Sequence, residues 1–232
     1  VRIGAMAKGA GMIAPNMATM LGVLTTDADV PAPVLSDLLR GCVARSFNRI
    51  CVDNDMSTND TVLCLASGRS GAAPLEPGAP GFDAFREALA AVCTEMAQAL
   101  VRDGEGASKF VEIRVEGARD DGEAHQAAAA IARSQLCKTA FFGEDPNWGR
   151  IACAAGYSGA ALDPERLGVW VGPVQVLRDG LPAAYAEADA AAVMRARDIV
   201  VRVALGEGDG EAVFWTSDLS HEYVTINADY RT

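Results

Sequence analysis

Lys8-Gly9-Ala10-Gly11-Met12-Ile13-Ala14-Pro15-Asn16-Met17-Ala18-Thr19-Met20-Leu21, running on into Gly22-Val23-Leu24-Thr25-Thr26-Asp27, is the stretch from which the rest of the chain is read. Glycine opens backbone regions closed to other residues and proline removes a donor, so its first half is expected to be irregular. The second half is apolar and β-branched, the composition of a buried strand over 21–26. Thr19 stands where loop gives way to strand. A threonine there is ordinarily a strand residue and nothing more. The position also suits a nucleophile whose own backbone amine is its base, and that requires the Ala18–Thr19 bond to be cut.

Around this stretch the composition is that of a globular chain. Its 232 residues suffice for one large domain or two small ones; 50% are hydrophobic and 22% charged. The net charge of −11 argues against a basic face for nucleic acid or for an anionic membrane. No apolar run reaches the roughly 18 residues of a membrane span, and no signal-peptide pattern opens the sequence. Cys42, Cys51, Cys64, Cys93, Cys137 and Cys153 lie singly among apolar neighbours, with only His125 and His221 as further soft ligands. Zinc and Cys–His catalysis therefore have little to work with, and reduced thiols in a cytosolic protein are expected. The start at Val1, already in strand-like sequence, suggests a piece of a longer protein.

Helices are expected at 34–45, 82–101, 124–134, 150–155 and 188–195, from apolar residues at helical spacing or from runs of small residues. Strands are expected at 49–52, 61–66, 111–116, 136–142, 168–176, 199–205, 211–216 and 223–227. Residues 68–81, loaded with Gly, Pro, Ala and Ser, read as an exposed connection. Strands and helices alternate early and strands dominate late, which indicates an α/β or α+β class with mixed sheets.

Three further stretches carry candidate chemistry. Asp53-Asn54-Asp55-Met56-Ser57-Thr58-Asn59-Asp60 has the alternating acids of a calcium loop. It lacks the glycine at position six and has Cys64 where the closing glutamate belongs, so a turn held by Asx-type bonds is expected. Asn54 tolerates the left-handed conformation such a turn needs. Asp103-Gly104-Glu105-Gly106 is no phosphate loop, because two carboxylates would repel phosphate; a glycine turn offering one carboxylate to a cationic amine makes better chemical sense. Lys8, in the glycine-rich loop before Thr19, would help hold a nearby amine neutral or bind a substrate carboxylate.

Read together, Lys8-Gly-x-Gly-Met…Pro15-x-Met-Ala-Thr19-Met-Leu, the Asp53–Asp60 run, Asp103-Gly-Glu-Gly-Ala-Ser-Lys-Phe110, Phe142-Gly-Glu-Asp-Pro-Asn-Trp-Gly-Arg150 and the terminal Asn227-Ala-Asp-Tyr-Arg-Thr232 resemble, in order, the ornithine acetyltransferase family, the bifunctional glutamate N-acetyltransferases of arginine biosynthesis. The likeness covers nearly the whole chain. One departure is Asn54, where the family has glycine. The resemblance implies the α/β sandwich-like fold of self-processing threonine-nucleophile enzymes, cleaved between Ala18 and Thr19. Residues 1–18 would then be the C-terminal end of an α chain and residues 19–232 a β chain beginning with its nucleophile. It further implies Lys8, Thr19, Glu105, Asn227 and Thr232 as substrate-binding residues, with the 142–150 stretch a structural loop bordering the site and the oxyanion pair supplied upstream, in the α chain.

The implied reaction moves an acetyl group from N-acetylornithine to glutamate through an acetyl-Thr19 enzyme. No metal or bound cofactor is required, although acetyl-CoA is an alternative donor. The implied partners are the α chain of the same precursor and a heterotetramer or higher αβ assembly in the cytoplasm, with neither nucleic acid nor membrane involved. Three alternatives stay open: a same-fold acyltransferase of a specialised-metabolite pathway, an aminopeptidase or amidase passing the acyl group to water, and a non-catalytic, uncleaved binding subunit.

Overall fold

The computed structural model describes residues 1–14, 20–57 and 59–229. Its contacts divide the chain into two units, Val1–Ile50 with Asn54–Asp103, and Cys51–Asp53 with Gly104–Thr232. The expected division after residue 18 is a chain division, not a packing boundary, and lies outside the described residues.

In chain order the strands are β1 (Ile3–Lys8), β2 (Leu21–Thr26), β3 (Ile50–Cys51), β4 (Thr61–Ala66), β5 (Phe110–Ala118), β6 (Gly168–Val171), β7 (Val174–Arg178), β8 (Leu181–Pro182), β9 (Asp198–Ala204) and β10 (Gly210–Ser217). The helices are α1 (Ala32–Arg45), α2 (Phe82–Arg102), α3 (Asp121–Arg133), α4 (Gln135–Phe142), α5 (Trp148–Gly156), α6 (Glu187–Met194) and α7 (His221–Asp229). The class is mixed α/β, as the alternation of patterns indicates.

The first unit is built on a sheet ordered β1-β2-β4, with β1 antiparallel and β4 parallel to β2. Lys8 pairs with Leu21 at the joined end of β1 and β2, so the opening stretch is the connection between two paired strands. Strand alternation sends Leu24 into the core, 1% exposed, while α1 and α2 pack together over the unit. Phe85, Leu89, Cys93, Ala97 and Leu100 form the buried stripe of α2, recurring at the helical interval. On the sheet, Met6, Val23 and Leu63 are cross-strand neighbours in one row, and Met6 and Leu63 stay exposed. Asn54 adopts the expected left-handed conformation, at φ 70°.

The second unit holds a sheet ordered β3-β10-β5-β9-β6-β7-β8. At its centre β5 runs antiparallel to β10 and parallel to β9. Helix α3 packs on β10 and β5 through Ala124, Ala127, Ala128 and Ile131. Its start is fixed by Asp120, whose side chain accepts from the Glu123 amide at 2.9 Å.

Three expectations are corrected here. Residues 136–142 are not a strand but most of α4, whose first turn is capped by Ser134 accepting from the Cys137 amide. Cys137, Lys138, Ala140 and Phe141 are its buried positions, a helical spacing that a run of Leu, Cys, Thr and Phe conceals. Residues 223–227 belong to helix α7, not to a strand; the Ser220 hydroxyl accepts from the Tyr223 amide at 3.3 Å and starts the helix against the β preference of Tyr-Val-Thr-Ile. The single strand expected at 168–176 is a hairpin of β6 and β7, broken at Gly172, φ 54°.

Candidate functional site

Ala18, Thr19 and Thr232 lie outside the described residues, so the structure is read at the groups on either side of them. In the first unit Lys8, the last residue of β1, lines a cavity of about 500 Å³ with Gly9, Met96, Leu100 and Asp103. Beyond it the backbone leaves regular structure, as the glycines demand, and Met12 takes a left-handed φ of 52°.

On the other side of Thr19, both polar backbone groups of Met20 are held. Its N–H donates to Asp60 Oδ1 at 2.8 Å, and its carbonyl accepts from the Thr61 amide at 3.0 Å. Two consecutive residues at the start of β4 thus grip the residue that follows Thr19. Burial pushes the Asp60 carboxyl above the usual carboxylate range, against the opposing effect of the Met20 N–H. Sequence reasoning took Asp60 for a turn acid and missed it.

The second unit carries Glu105 on the loop between α2 and β5, where the Ala107 amide bonds to the Gly104 carbonyl at 3.0 Å. Asp218, 3% exposed, is the loop's anchor. Its Oδ1 accepts from the Ser108 and Lys109 amides at 2.9 and 3.0 Å, and its Oδ2 from the Ser108 hydroxyl. The Ser220 hydroxyl donates to the Gly106 carbonyl at 2.6 Å. Gly106 sits at φ 66° with Tyr223 so close that a Cβ would stand 2.4 Å from the Tyr223 nitrogen. These contacts bring the loop against the first turn of α7. From that helix Asn227 Nδ2 donates to Glu105 Oε2 at 3.0 Å and to the Tyr223 carbonyl at 3.0 Å. The two described candidate residues of this unit, 122 positions apart in sequence, therefore meet directly.

Two buried lysines brace this arrangement. Lys109 Nζ donates to the Met194 carbonyl at 2.8 Å and to Glu144 Oε1 at 3.3 Å, tying the Glu105 loop to the loop at 143–147. Phe142 and His221, in edge-to-face contact with ring centroids 5.4 Å apart, tie the same region to the start of α7. Lys138, 1% exposed, donates to Thr216 Oγ1 at 2.9 Å and to Ser217. Among the described residues no carboxylate bonds to it, and burial pulls its ammonium down to about 8. Nothing in the sequence pattern marked Asp218 or Lys138; the one available sign was Ser220, a capping residue three before Tyr223.

The chain matches the model of the ArgJ family over residues 1–232. Along its whole length it is 52% identical to the arginine biosynthesis bifunctional protein ArgJ of Symbiobacterium thermophilum and 48% identical to that of Geobacillus stearothermophilus. It is 47% identical to the mitochondrial ArgJ of Podospora anserina. It spans 58, 57 and 53% of these relatives, little more than half their length. The crystal structure of the ArgJ protein from Bacillus halodurans matches with a TM-score of 0.89 at 41% identity, covering 91% of this chain and all of that one.

Proposed function

Because the chain belongs to the ArgJ family, we propose that it is the threonine-bearing part of a self-processing acetyltransferase of arginine biosynthesis, moving acetyl from N-acetylornithine to glutamate. The observation that carries this reading is the likeness itself, unbroken along all 232 residues, to proteins named for arginine biosynthesis. The geometry supports it at one point. A carboxylate that would receive the substrate ammonium (Glu105), on a loop anchored by a buried aspartate, is already hydrogen-bonded to an amide on α7 (Asn227) that would orient the substrate's other polar groups.

In the first stage Thr19 Oγ attacks the Ala18 carbonyl carbon, the C–N bond breaks, and the proton leaving Oγ passes to the departing nitrogen. Water then hydrolyses the ester, giving an Ala18 carboxylate and a free Thr19 hydroxyl. In the second stage the Thr19 α-amine, with an ordinary pKa of about 7.7–8.0, takes the Oγ proton as Oγ attacks the acetyl carbonyl carbon of N-acetylornithine. The acetyl C–N bond then breaks, that proton passes to the departing amine, and ornithine leaves. The amine of glutamate next attacks the acetyl ester, the ester C–O bond breaks, and the amine's proton returns to Thr19 Oγ through the α-amine as N-acetylglutamate leaves. Lys8 would meet a substrate carboxylate, and Thr232 would be a further substrate-binding residue. No metal takes part in this scheme, and acetyl-CoA is a possible second donor.

The remaining portion of the precursor would supply the oxyanion donors. The exposed row of Met6 and Leu63 suits burial against that portion, since the relatives are longer by nearly half their length. The αβ pairs would associate further in the cytoplasm; among the described residues no helix is long and apolar enough to cross a membrane. The test is the intact mass of the full-length precursor before and after brief exposure to N-acetylornithine. Two chains, with one acetyl group on the chain beginning at Thr19, are expected, and Thr19→Ala should remain uncut and inactive. A single uncut wild-type chain overturns the reading, and a cut chain that releases acetate without acetylating glutamate replaces it with a hydrolase.

A further inference from the structure

Helices α1 and α2 pack on each other, and the buried stripe of each carries a cysteine. Cys42 is one of the two buried residues of α1, and Cys93 stands in the middle of the buried row of α2. Both are reduced, and they touch: the Cys93 thiol donates a hydrogen bond to the Cys42 sulfur. Two nucleophiles from different helices thus meet sulfur to sulfur inside the first unit. A cation stands beside them. Arg45, one turn after Cys42, folds back along α1 with its Nε donating to the Gly41 carbonyl at 3.3 Å, which holds its guanidinium by the Cys42 thiol. The hydrogen bond from Cys93, with the Arg45 charge, outweighs burial and brings the Cys42 thiol down to about 7. The same hydrogen bond, together with burial, pushes the Cys93 thiol up and keeps it protonated. Cys64, half-buried on β4, is held as a neutral thiol by burial and by the Cys42 charge, so it is the weaker nucleophile.

We propose that Cys42 and Cys93 form a peroxide-sensitive dithiol, which closes to a disulfide stapling α1 to α2. The Cys42 thiolate attacks one oxygen of hydrogen peroxide, and the O–O bond breaks. Cys42 becomes a sulfenic acid, and the departing hydroxide takes the Cys93 proton to become water. The Cys93 thiolate then attacks the Cys42 sulfur and the S–O bond breaks. The hydroxide released recovers the proton that Cys42 had given to solvent, as a second water. Two thiols are oxidised and one peroxide is reduced. The sulfurs start in contact, so the approach to an S–S bond of about 2.05 Å is short. Burial selects the oxidant: Cys42 is 3% exposed and Cys93 0%, which shuts out a bulky disulfide such as oxidised glutathione, whereas hydrogen peroxide is scarcely larger than water. None of the residues assigned to acetyl transfer takes part.

The test is a cysteine map of the full-length protein. The folded protein is exposed to hydrogen peroxide, unfolded in acid with excess N-ethylmaleimide so that thiols cannot reshuffle, and digested without reductant. A peptide pair joined through Cys42 and Cys93 is expected, lighter than the two reduced peptides by two hydrogens and separated again by dithiothreitol. Cys93→Ala should give no joined pair and should instead accumulate a Cys42 sulfenic acid, trapped by dimedone. Cys42→Ala should leave Cys93 recovered as its maleimide adduct. The wild-type map decides by itself if either variant fails to fold. Recovery of both wild-type cysteines as maleimide adducts, or a pair joined through Cys64 in their place, overturns the proposal. A glutathione adduct on Cys42 after treatment with oxidised glutathione overturns the selection for peroxide.

Discussion

Replacing Gly106 by alanine sets two costs against each other. At φ 66° a side chain costs about 1–2 kcal/mol through its own backbone. The new Cβ would also lie 2.4 Å from the Tyr223 nitrogen and 2.9 Å from its Cα, atoms of a helix backbone that cannot swing aside. Forcing it in place would add about 1–3 kcal/mol of overpacking. The cheaper escape is for α7 to lift. No residue of that helix is buried, so lifting sacrifices chiefly the Ser220–Gly106 and Asn227–Glu105 hydrogen bonds, at about 0.5–1.5 kcal/mol each. The total expected is therefore about 2–5 kcal/mol, released as local undocking. Gly71→Ala is the control: φ is 74° there but nothing lies within 4 Å of a Cβ, so only the backbone cost of about 1–2 kcal/mol applies. Urea unfolding compares the two variants, and amide hydrogen exchange reports α7. Equal losses in both, or unchanged exchange across 221–229 in Gly106→Ala, would refute the argument that α7 is docked through Gly106.

Two further outcomes follow from the buried charges. Asp218→Ala strips an acceptor from the Ser108 and Lys109 amides and from the Ser108 hydroxyl, and should destabilise by about 3–5 kcal/mol in denaturant titration, with Asp218→Asn losing less because one carbonyl oxygen can still serve the two amides. Lys138 has a folded-state pKa of about 8 against an ordinary 10.5, so between those values the unfolded chain binds the proton that the folded one has shed. Its contribution to stability is least favourable below pH 8 and improves by up to about 3 kcal/mol as pH rises to 10.5; Lys138→Met should flatten that rise in urea midpoints measured across the window.

Strong periodicity and capping made part of this fold legible. Helix α2 was visible because its apolar residues recur at helical spacing through more than five turns, and β2 and β4 because short β-branched runs stand between turn residues. Helices α4 and α7 were not, since each is a short segment of strand-favouring residues whose state is decided by one serine hydroxyl at its start. The site divides in the same way. Glu105 and Asn227 stand in recognisable strings, and their meeting follows from α7 docking on the loop. Asp60 and Asp218 act through backbone amides of other segments, and no spacing in the sequence encodes which amide a carboxylate will find.

The pairing of Lys8 with Leu21 has a bearing on what happens when the connection between them is severed. Strands β1 and β2 are joined along six facing pairs, from Ile3 with Thr26 to Lys8 with Leu21, and a cut between Ala18 and Thr19 touches none of them. The leading segment would stay paired to β2 as the end of a separate α chain. Its loss would become a dissociation with its own equilibrium constant, so the midpoint of unfolding, independent of dilution in the intact chain, would fall as the processed protein is diluted.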